Sequence, residues 1–384
     1  MPMATLHTRL RHLLPVAAAA VSVLMLPLLG ALLGGLPLGE LLRLPLSARA
    51  WDPLAASPLW TWLTDLLALA LIAATAYFAW PSRPPTERPA TPSPGRMPRF
   101  AWLGVFALLL AVVAADGAAV STATGLVMLA LALFANADTQ RRTGSALMTR
   151  QPGYFRSLFA ASLVAGWLFH WLNLFLQLWV YPGATETVPF VLGTSLGYAV
   201  LLPALLSLRQ WLASFPRILG MVRRAAPLDA GETAPQEGWI VLLVALLALA
   251  GAALWPDWLY GLAMTAPLLL AIALQQLRGR PTPLAGIANG DWSRILLPAL
   301  AALLLGVVAQ ALNALLGPAW LIRLPLIGGP ELLGLPLPAW VWLALLGPFG
   351  IWLADQLTAP WQQRPQQPPS GGGFPIRIET GGKP

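Results

Sequence analysis

The chain has 384 residues, of which 57% are hydrophobic and 10% charged, and its mean hydropathy is +0.69. Soluble domains carry roughly 25% charged residues, so this composition excludes an ordinary soluble protein and predicts an all-α polytopic membrane protein. The formal net charge is +8, but the basic residues lie in short segments between apolar runs, which favours membrane topology over nucleic-acid binding. The sequence contains no cysteine, which excludes disulfides, thiolate metal sites and cysteine nucleophiles.

Ten apolar runs are long enough, at about 20 residues each, to cross a bilayer as helices. They lie near residues 13–36, 58–80, 100–116, 118–136, 157–181, 189–213, 239–256, 258–277, 295–316 and 338–357. Tight hairpins are predicted at Asp116-Gly117 and at Pro256-Asp257, where a short polar break interrupts a run too long for one helix. Pro203, Pro267, Pro298 and Pro348 each lie within a predicted span, which predicts kinked or broken helices.

The basic residues indicate the orientation of these helices. If successive loops alternate across the membrane, one side receives all but three of the 23 basic residues, and the other holds Arg43, Arg49 and Arg323. Basic loops stay on the cytoplasmic side, so we expect both termini in the cytoplasm. Lys383 is the single lysine, and this bias toward arginine indicates a GC-rich bacterial genome and hence a bacterial inner membrane.

The first apolar run has a second interpretation, as a cleaved signal peptide. Arg9 and Arg11 precede it, and Ala48-Arg49-Ala50 resembles a cleavage site. The apolar region of a signal peptide usually has about 7–15 residues and lies close to its cleavage site. This run is longer and ends well before Ala48, which favours an uncleaved helix.

An internal repeat organises most of the chain. The segment that ends at Asn173 aligns with the segment that ends at Asn313. This alignment also superimposes Gly166 on Gly306 and His170 on Gln310. The predicted units are an N-terminal two-helix unit (1–80), a Pro/Arg-rich cytoplasmic linker (81–99), a first four-helix repeat (100–224), a linker (225–237), a second four-helix repeat (238–357) and a disordered C-terminal tail (358–384). Because four is even, both repeats enter the membrane in the same direction and are parallel.

Two outward loops, 37–57 and 317–337, are apolar and rich in proline, and each contains Arg-Leu-Pro-Leu. Loops in water need not be this apolar. We therefore expect them to lie along the membrane interface, with Trp51 and Trp320 as anchors.

A polar stripe marks the candidate functional site. On the fifth helix its members are 4, 4, 3 and 4 residues apart, which places them on one helix face: Ser162, Gly166, His170, Asn173 and Gln177. On the ninth helix the corresponding residues are Gly306, Gln310 and Asn313. Polar side chains within a membrane span face protein or water, so we expect the two stripes to meet between the repeats.

The stripes have two interpretations. As structural glue, their amides form helix–helix hydrogen bonds worth roughly 0.6–2 kcal/mol each. As a binding site, they present His170 to a lipid headgroup, a quinone or a small solute, or make it a proton relay. Asp65, a third of the way into the second helix, is the other intramembrane candidate, and a helix cap or a hydrogen bond to a neighbouring helix explains it more simply. No metal site or cofactor is predicted, because the remaining histidines, His7 and His12, lie at the N-terminus.

The motifs also resemble a known family. They are Gly153-Tyr154-Phe155, Trp167, Leu172-Asn173, Trp179-x-Tyr181, Gly290-Asp291-Trp292 and Leu312-Asn313. Over residues 36–357 the chain resembles a family of bacterial inner-membrane proteins with about ten helices, an internal repeat and no assigned activity. The resemblance implies the fold and the repeat. An acidic residue commonly stands in that family where this chain has His170 and Gln310, so a role of those carboxylates does not transfer.

The sequence contains no HExxH or P-loop motif, and its run Gly193-Thr194-Ser195-Leu196-Gly197 lies within a predicted membrane span, not at the strand-to-helix turn of a nucleophile elbow. We therefore expect an accessory or assembly subunit of a larger membrane complex, without catalysis of its own, whose partners are the bilayer and other membrane subunits. The alternative is a transporter or channel-like protein for a small or lipidic solute, built around the stripes. A third possibility is a lipid- or isoprenoid-modifying enzyme that uses His170 as acid or base.

Overall fold

The computed structural model describes residues 3–49, 52–80, 95–116, 120–228, 235–279, 284, 286–317 and 319–358. The predicted tail beyond residue 358, most of the linker 81–99, the centre of the linker 225–237, Trp51 and Gly117 lie outside these described residues.

Ten long helices coincide in position with the ten predicted apolar spans. In chain order the helices are α1 (Met3–Leu33), α2 (Leu38–Leu41), α3 (Pro58–Ala79), α4 (Ala101–Asp116), α5 (Val120–Thr143), α6 (Leu147–Arg150), α7 (Pro152–Leu176), α8 (Thr187–Ala213), α9 (Pro216–Arg223), α10 (Pro235–Gly251), α11 (Pro256–Gln276), α12 (Ser293–Leu315) and α13 (Leu337–Thr358). A 3₁₀ turn (Ile287–Asn289) precedes α12. The predicted all-α class is confirmed.

Two short antiparallel pairs of strands, which the sequence did not predict, lie in the loops. Strand β1 (Trp179–Val180) pairs with β2 (Leu321–Ile322), and β3 (Glu331–Leu332) pairs with β4 (Leu335–Pro336). The first pair, called the ribbon below, joins the loop after α7 to the loop after α12. It therefore connects segments that belong to the two predicted repeats.

In the part of the chain that the structure describes, seven helices are long and apolar enough to cross a membrane: α3, α5, α7, α8, α11, α12 and α13. The chain is therefore a multi-pass membrane protein. Within the described residues, the other three long helices have shorter apolar stretches, at Ala17–Leu33, Ala101–Ala115 and Glu237–Gly251. The count of ten crossings stays a prediction for that reason.

Proline determines where several helices begin. Helices α3, α7, α9 and α11 each have proline in their first turn, where its fixed φ suits the helix and no N–H is needed. The internal prolines of α8, α11, α12 and α13 do not end those helices. The helices are therefore not broken at these prolines, and the other predicted possibility, a kink, stays a prediction.

Helices α7, α8, α12 and α13 form a ring in which each packs against the next. On one side α5 packs against α8, and α4 against α5; on the other side α1, α10 and α11 pack together. Helices α7 and α12, which carry the two stripes, lie across the ring from each other and are not among the closely packed helix pairs that the structure describes.

Small residues allow the helices to approach closely. The contact between α10 and α11 buries Ala245 and Ala248 against Ala263 and Ala266. Where α5 crosses α8, a Cβ atom on Gly125 would lie 3.0 Å from the Cα atom of Gly197. Lipid is as apolar as a leucine side chain, so helix association in a bilayer depends on this kind of close packing.

The predicted orientation can be tested with single cysteines, because the natural chain contains none. Thr185 lies exposed in the loop between β1 and α8, and Met221 lies exposed on α9. In intact cells we expect a membrane-impermeant maleimide to label Thr185→Cys. Met221→Cys should be labelled only after the cells are lysed. The reverse pattern would contradict the placement of the termini in the cytoplasm, and labelling of both in intact cells would contradict the helix count between them.

Candidate ligand site

A cavity of about 360 Å³ lies inside the ring formed by α7, α8, α12 and α13, with α5 contributing to one wall. Both halves of the chain line it, and most of its wall is apolar. The lining side chains include Met128, Phe169, Leu201, Leu305, Ala309, Trp342, Leu346 and Phe349. The stripe residues Ser162, Gly166 and Gly306 also line the cavity, whereas His170, Asn173, Gln177, Gln310 and Asn313 are not among its lining residues.

The ribbon closes one end of the cavity. Trp179 and Tyr181 from one side, and Trp320 and Ile322 from the other, line this end. Trp179 is paired with Ile322 in the ribbon. Trp320, which the sequence suggested as a membrane anchor, therefore faces the cavity.

Asn173 and Asn313 have the same structural role at the ends of α7 and α12. The Asn173 amide donates to the carbonyl of Trp179 (2.7 Å) and accepts from its N–H (3.1 Å). The Asn313 amide donates to the carbonyl of Trp320 (2.9 Å) and accepts from its N–H (3.3 Å), and from Ala319 (2.9 Å). Each asparagine thus holds the start of one ribbon strand against the helix before it.

Arg49 is not among the described residues that line the cavity, and it forms hydrogen bonds to both loops of the ribbon. Its Nη2 atom donates to the carbonyls of Leu178 (3.0 Å) and Arg323 (3.1 Å), which lie in the two loops that form the ribbon. Burial lowers the pKa of Arg49 below its usual value, and the nearby charge of Arg323 adds to this effect. Arginine remains charged in proteins, and neither Arg49 nor Arg323 is among the described residues that line the cavity.

Ser162 interacts with the backbone of α8 next to Pro203. Its hydroxyl donates to the carbonyl of Tyr198 (2.5 Å) and accepts from the N–H of Leu202 (2.9 Å). These are the two groups that one turn of an unbroken helix joins directly. The serine therefore satisfies backbone groups at the proline of α8, which gives this stripe residue a structural role.

His170 lies behind the cavity wall in an aromatic cluster. Its Nδ1 atom is 3.1 Å from the hydroxyl of Tyr198, which is 3.3 Å from the hydroxyl of Tyr181. The rings of Trp167 and Phe190 pack against the imidazole, with centroids 5.1 and 5.7 Å away. Tyr181 and Tyr198, rather than His170, present this hydrogen-bonded chain to the cavity.

The tyrosine of the loop also keeps its proton. Burial raises the pKa of Tyr181 above its usual value, and Trp179 Nε1 donates to its hydroxyl oxygen (3.1 Å). A hydroxyl that is protonated at neutral pH can donate a hydrogen bond, so this end of the cavity offers uncharged donors.

The other predicted positions have different surroundings. Gln177 lies just beyond the end of α7 with a left-handed backbone (φ 49°), and its N–H donates to the carbonyl of Asn173 (2.7 Å). Gln310 is buried on α12. Asp65 is partly buried on α3, where its carboxylate lies beside Gly329 in the loop after α12. The structure therefore does not bring Asp65 to the stripes.

Sequence reasoning missed the polar groups that α5 and α8 bring to the cavity. These are Ser121 and Thr124 of α5 and Thr194 and Tyr198 of α8. One signal was available: Gly193 and Gly197 form a small-xxx-small spacing, which marks a close helix–helix contact. The hydroxyl residues lie next to these glycines.

Sequence reasoning also missed a buried amide at the opposite end of α5. Asn136 donates to the hydroxyl of Ser207 (2.7 Å) and accepts from the N–H of Met148 (2.9 Å). These bonds join α5, α6 and α8. Asn136 is fully buried and outside the cavity lining, so its role is structural.

The fold and the cavity define a multi-pass membrane protein with an internal, mostly apolar cavity. Among the described residues, no three histidine, aspartate or glutamate side chains come together as metal ligands. Comparison with protein families, curated proteins and solved structures finds no family model, protein or structure that matches the chain. The family resemblance of the motifs therefore stays an expectation.

Proposed function

We propose that this membrane protein binds a lipidic solute in the cavity inside its helix ring and carries out no chemistry on it. The main observation that supports this proposal is the cavity. Its volume of about 360 Å³ is in the range of small-molecule sites, and such sites combine apolar walls with a few polar groups. The described part of the lining contains no charged residue and no histidine, which favours a binding or carrier role over acid–base catalysis by His170.

The ribbon supports a parallel arrangement of two repeats around this cavity. The asparagines aligned from the sequence, Asn173 and Asn313, form matching hydrogen bonds to Trp179 and Trp320. The strands that follow them pair with each other in antiparallel fashion. An approximate two-fold axis along the membrane normal would produce this arrangement, and the cavity would then lie on that axis.

Filling the cavity tests the proposed function. Ala309 lines the cavity, whereas Val307, on the same helix, is 41% exposed. We expect wild-type protein purified from its membrane in mild detergent to yield a lipidic molecule other than bulk phospholipid on organic extraction and mass spectrometry. Ala309→Phe should yield about tenfold less of it per protein, because the phenyl ring occupies the binding space.

The matched control is Val307→Phe, which adds the same ring to the outer surface of α12. It should retain the wild-type amount. Equal amounts in all three proteins, or no enriched molecule in the wild type, would contradict the proposed function.

The accessory-subunit prediction is supported by a different observation. Helix α3 buries little of its surface: Trp62 is 68% exposed and Leu66 is 59% exposed, and Ala68 is the buried residue of the helix. A partner helix would cover such a surface, as lipid also does. Mild-detergent purification with mass spectrometry should show a stoichiometric membrane partner if this second role holds, and a clean monomer or homodimer would exclude it.

A further inference from the structure

Two of the polar residues that line the cavity lie near the starts of α5 and α8. Thr124 is 6% exposed and Thr194 is 4% exposed, both line the cavity, and neither hydroxyl has a hydrogen-bond partner among the described residues. A helical threonine commonly donates to the carbonyl four residues before it. Thr139 does so to Ala135 (2.6 Å), and Thr265 does so to Gly261 (3.0 Å). The two hydroxyls therefore lie beside the cavity without a partner, and a rotation of each side chain about its Cα–Cβ bond would turn its hydroxyl toward a ligand.

A buried hydroxyl without a partner has a substantial free-energy cost. Two such groups in one cavity, on α5 and on α8, point to a ligand atom that accepts hydrogen bonds. The hydroxyls of Tyr181 and Tyr198 line the same region. The two tyrosines bond each other and His170, so the unpartnered groups at this end are the two threonine hydroxyls, which carry no charge.

The lining also limits the charge of the ligand. None of the described residues that line the cavity is Arg, Lys, Asp, Glu or His, and neither Arg49 nor Arg323 is among them. A buried phosphate or carboxylate without a countercharge is strongly disfavoured. The polar end of the ligand is therefore neutral.

The shape of the lining favours a flat polar group joined to an apolar chain. Indole and phenol rings from Trp179, Trp320 and Tyr181 surround the ribbon end, and aromatic faces pack well against flat rings. Farther from the ribbon along α5 and α8, Met128 and Leu205 line the cavity. This part offers apolar contacts.

We propose that the ligand is a neutral lipid with a flat, carbonyl-bearing ring of the quinone type. The ring lies at the ribbon end, where Thr124 and Thr194 donate hydrogen bonds to its carbonyl oxygens, and the apolar chain extends toward Leu205. This inference rests on the proposed function and specifies its ligand class. It assigns specificity to the two threonines rather than to His170.

The test compares two probes with the same chain length and different heads, decylubiquinone and decylbenzene. Apparent dissociation constants come from thermal-shift titrations of the detergent-purified full-length protein, followed by tryptophan fluorescence. Wild type should bind decylubiquinone more tightly than decylbenzene. Thr124→Val and Thr194→Val should each weaken decylubiquinone binding about tenfold, since each removes one hydrogen bond, and leave decylbenzene binding unchanged.

Thr265→Val is the matched control, because Thr265 bonds its own helix and lies outside the cavity lining. It should bind both probes as the wild type does. Without ligand, Thr124→Val and Thr194→Val should melt at or above the wild-type temperature, because valine keeps the shape and removes an unpaired hydroxyl. That result separates lost binding from lost folding.

The outcomes distinguish this inference from the proposed function. If both probes bind equally and neither threonine variant changes them, while Ala309→Phe weakens both, the quinone-type assignment is wrong and the lipidic site stands. If Ala309→Phe weakens neither probe, both proposals are wrong. Preferential loss of decylubiquinone in the two threonine variants supports both.

Discussion

Replacing Asn173 by alanine is expected to lower the free energy of unfolding by about 3 kcal/mol, because it leaves the N–H and the carbonyl of Trp179 without their partner. Asn173 is fully buried, and water cannot easily replace its amide. Asn313→Ala should have a similar effect through Trp320. The measurement is reversible unfolding in mixed dodecyl maltoside and SDS micelles, followed by tryptophan fluorescence.

The matched control is Asn289→Ala, since Asn289 is exposed in the 3₁₀ turn before α12. A surface substitution of this kind changes stability by about 0.5 kcal/mol or less. The double variant of Asn173 and Asn313 should lose less unfolding free energy than the two single variants together. The strands that follow these residues pair with each other, so loss of one asparagine already weakens the attachment of the other strand. A cost for Asn173→Ala equal to that of Asn289→Ala would contradict the role assigned to the ribbon.

Gly166→Ala is expected to destabilise the protein by about 2 kcal/mol, although alanine is the better helix former. A Cβ atom at Gly166 would collide with the Cβ atom and ring of Tyr198, which is itself held by the bonds to His170 and Tyr181. The same substitution at Gly306 should cost less, because the nearest atom is the flexible end of Leu343, at 3.1 Å. The unfolding measurement used for Asn173 applies here.

Gly153, near the start of α7, is the control for this prediction. A Cβ atom there has no neighbour within 4 Å, so Gly153→Ala should be neutral or slightly stabilising. The expected order of stability is therefore Gly153→Ala, then Gly306→Ala, then Gly166→Ala. An equal effect at Gly166 and Gly306 would show that the two stripes are more alike than the contacts with Tyr198 and Leu343 indicate.

The long helices could be predicted from the sequence, because an apolar run of sufficient length forms a helix in lipid whatever its neighbours are. The stripe on α7 was also visible, yet its residues turned out to have separate roles. Ser162 bonds the backbone of α8, Asn173 holds the ribbon, and His170 lies in an aromatic cluster. Helical spacing predicts that side chains share a face and does not predict what each one contacts.

The hydroxyls of the candidate site could not be predicted for a related reason. Thr124 and Thr194 look like ordinary helical threonines, whose hydroxyls usually bond their own backbone. Whether such a hydroxyl is free depends on the neighbouring helix, which the residues around it do not encode. Only the packing of α5 against α8 brings the two unpartnered hydroxyls to one cavity.

The sequence by itself determined that this is an all-α, multi-pass membrane protein, and where its long helices lie, because both follow from local apolarity. The tertiary structure decided that Trp179 pairs with Ile322 in a ribbon, and that Gly166 and Gly306 line the same cavity. The physical reason is that lipid solvates any apolar helix face equally well. Which faces meet then depends on close packing and on buried hydrogen bonds between residues far apart in the chain.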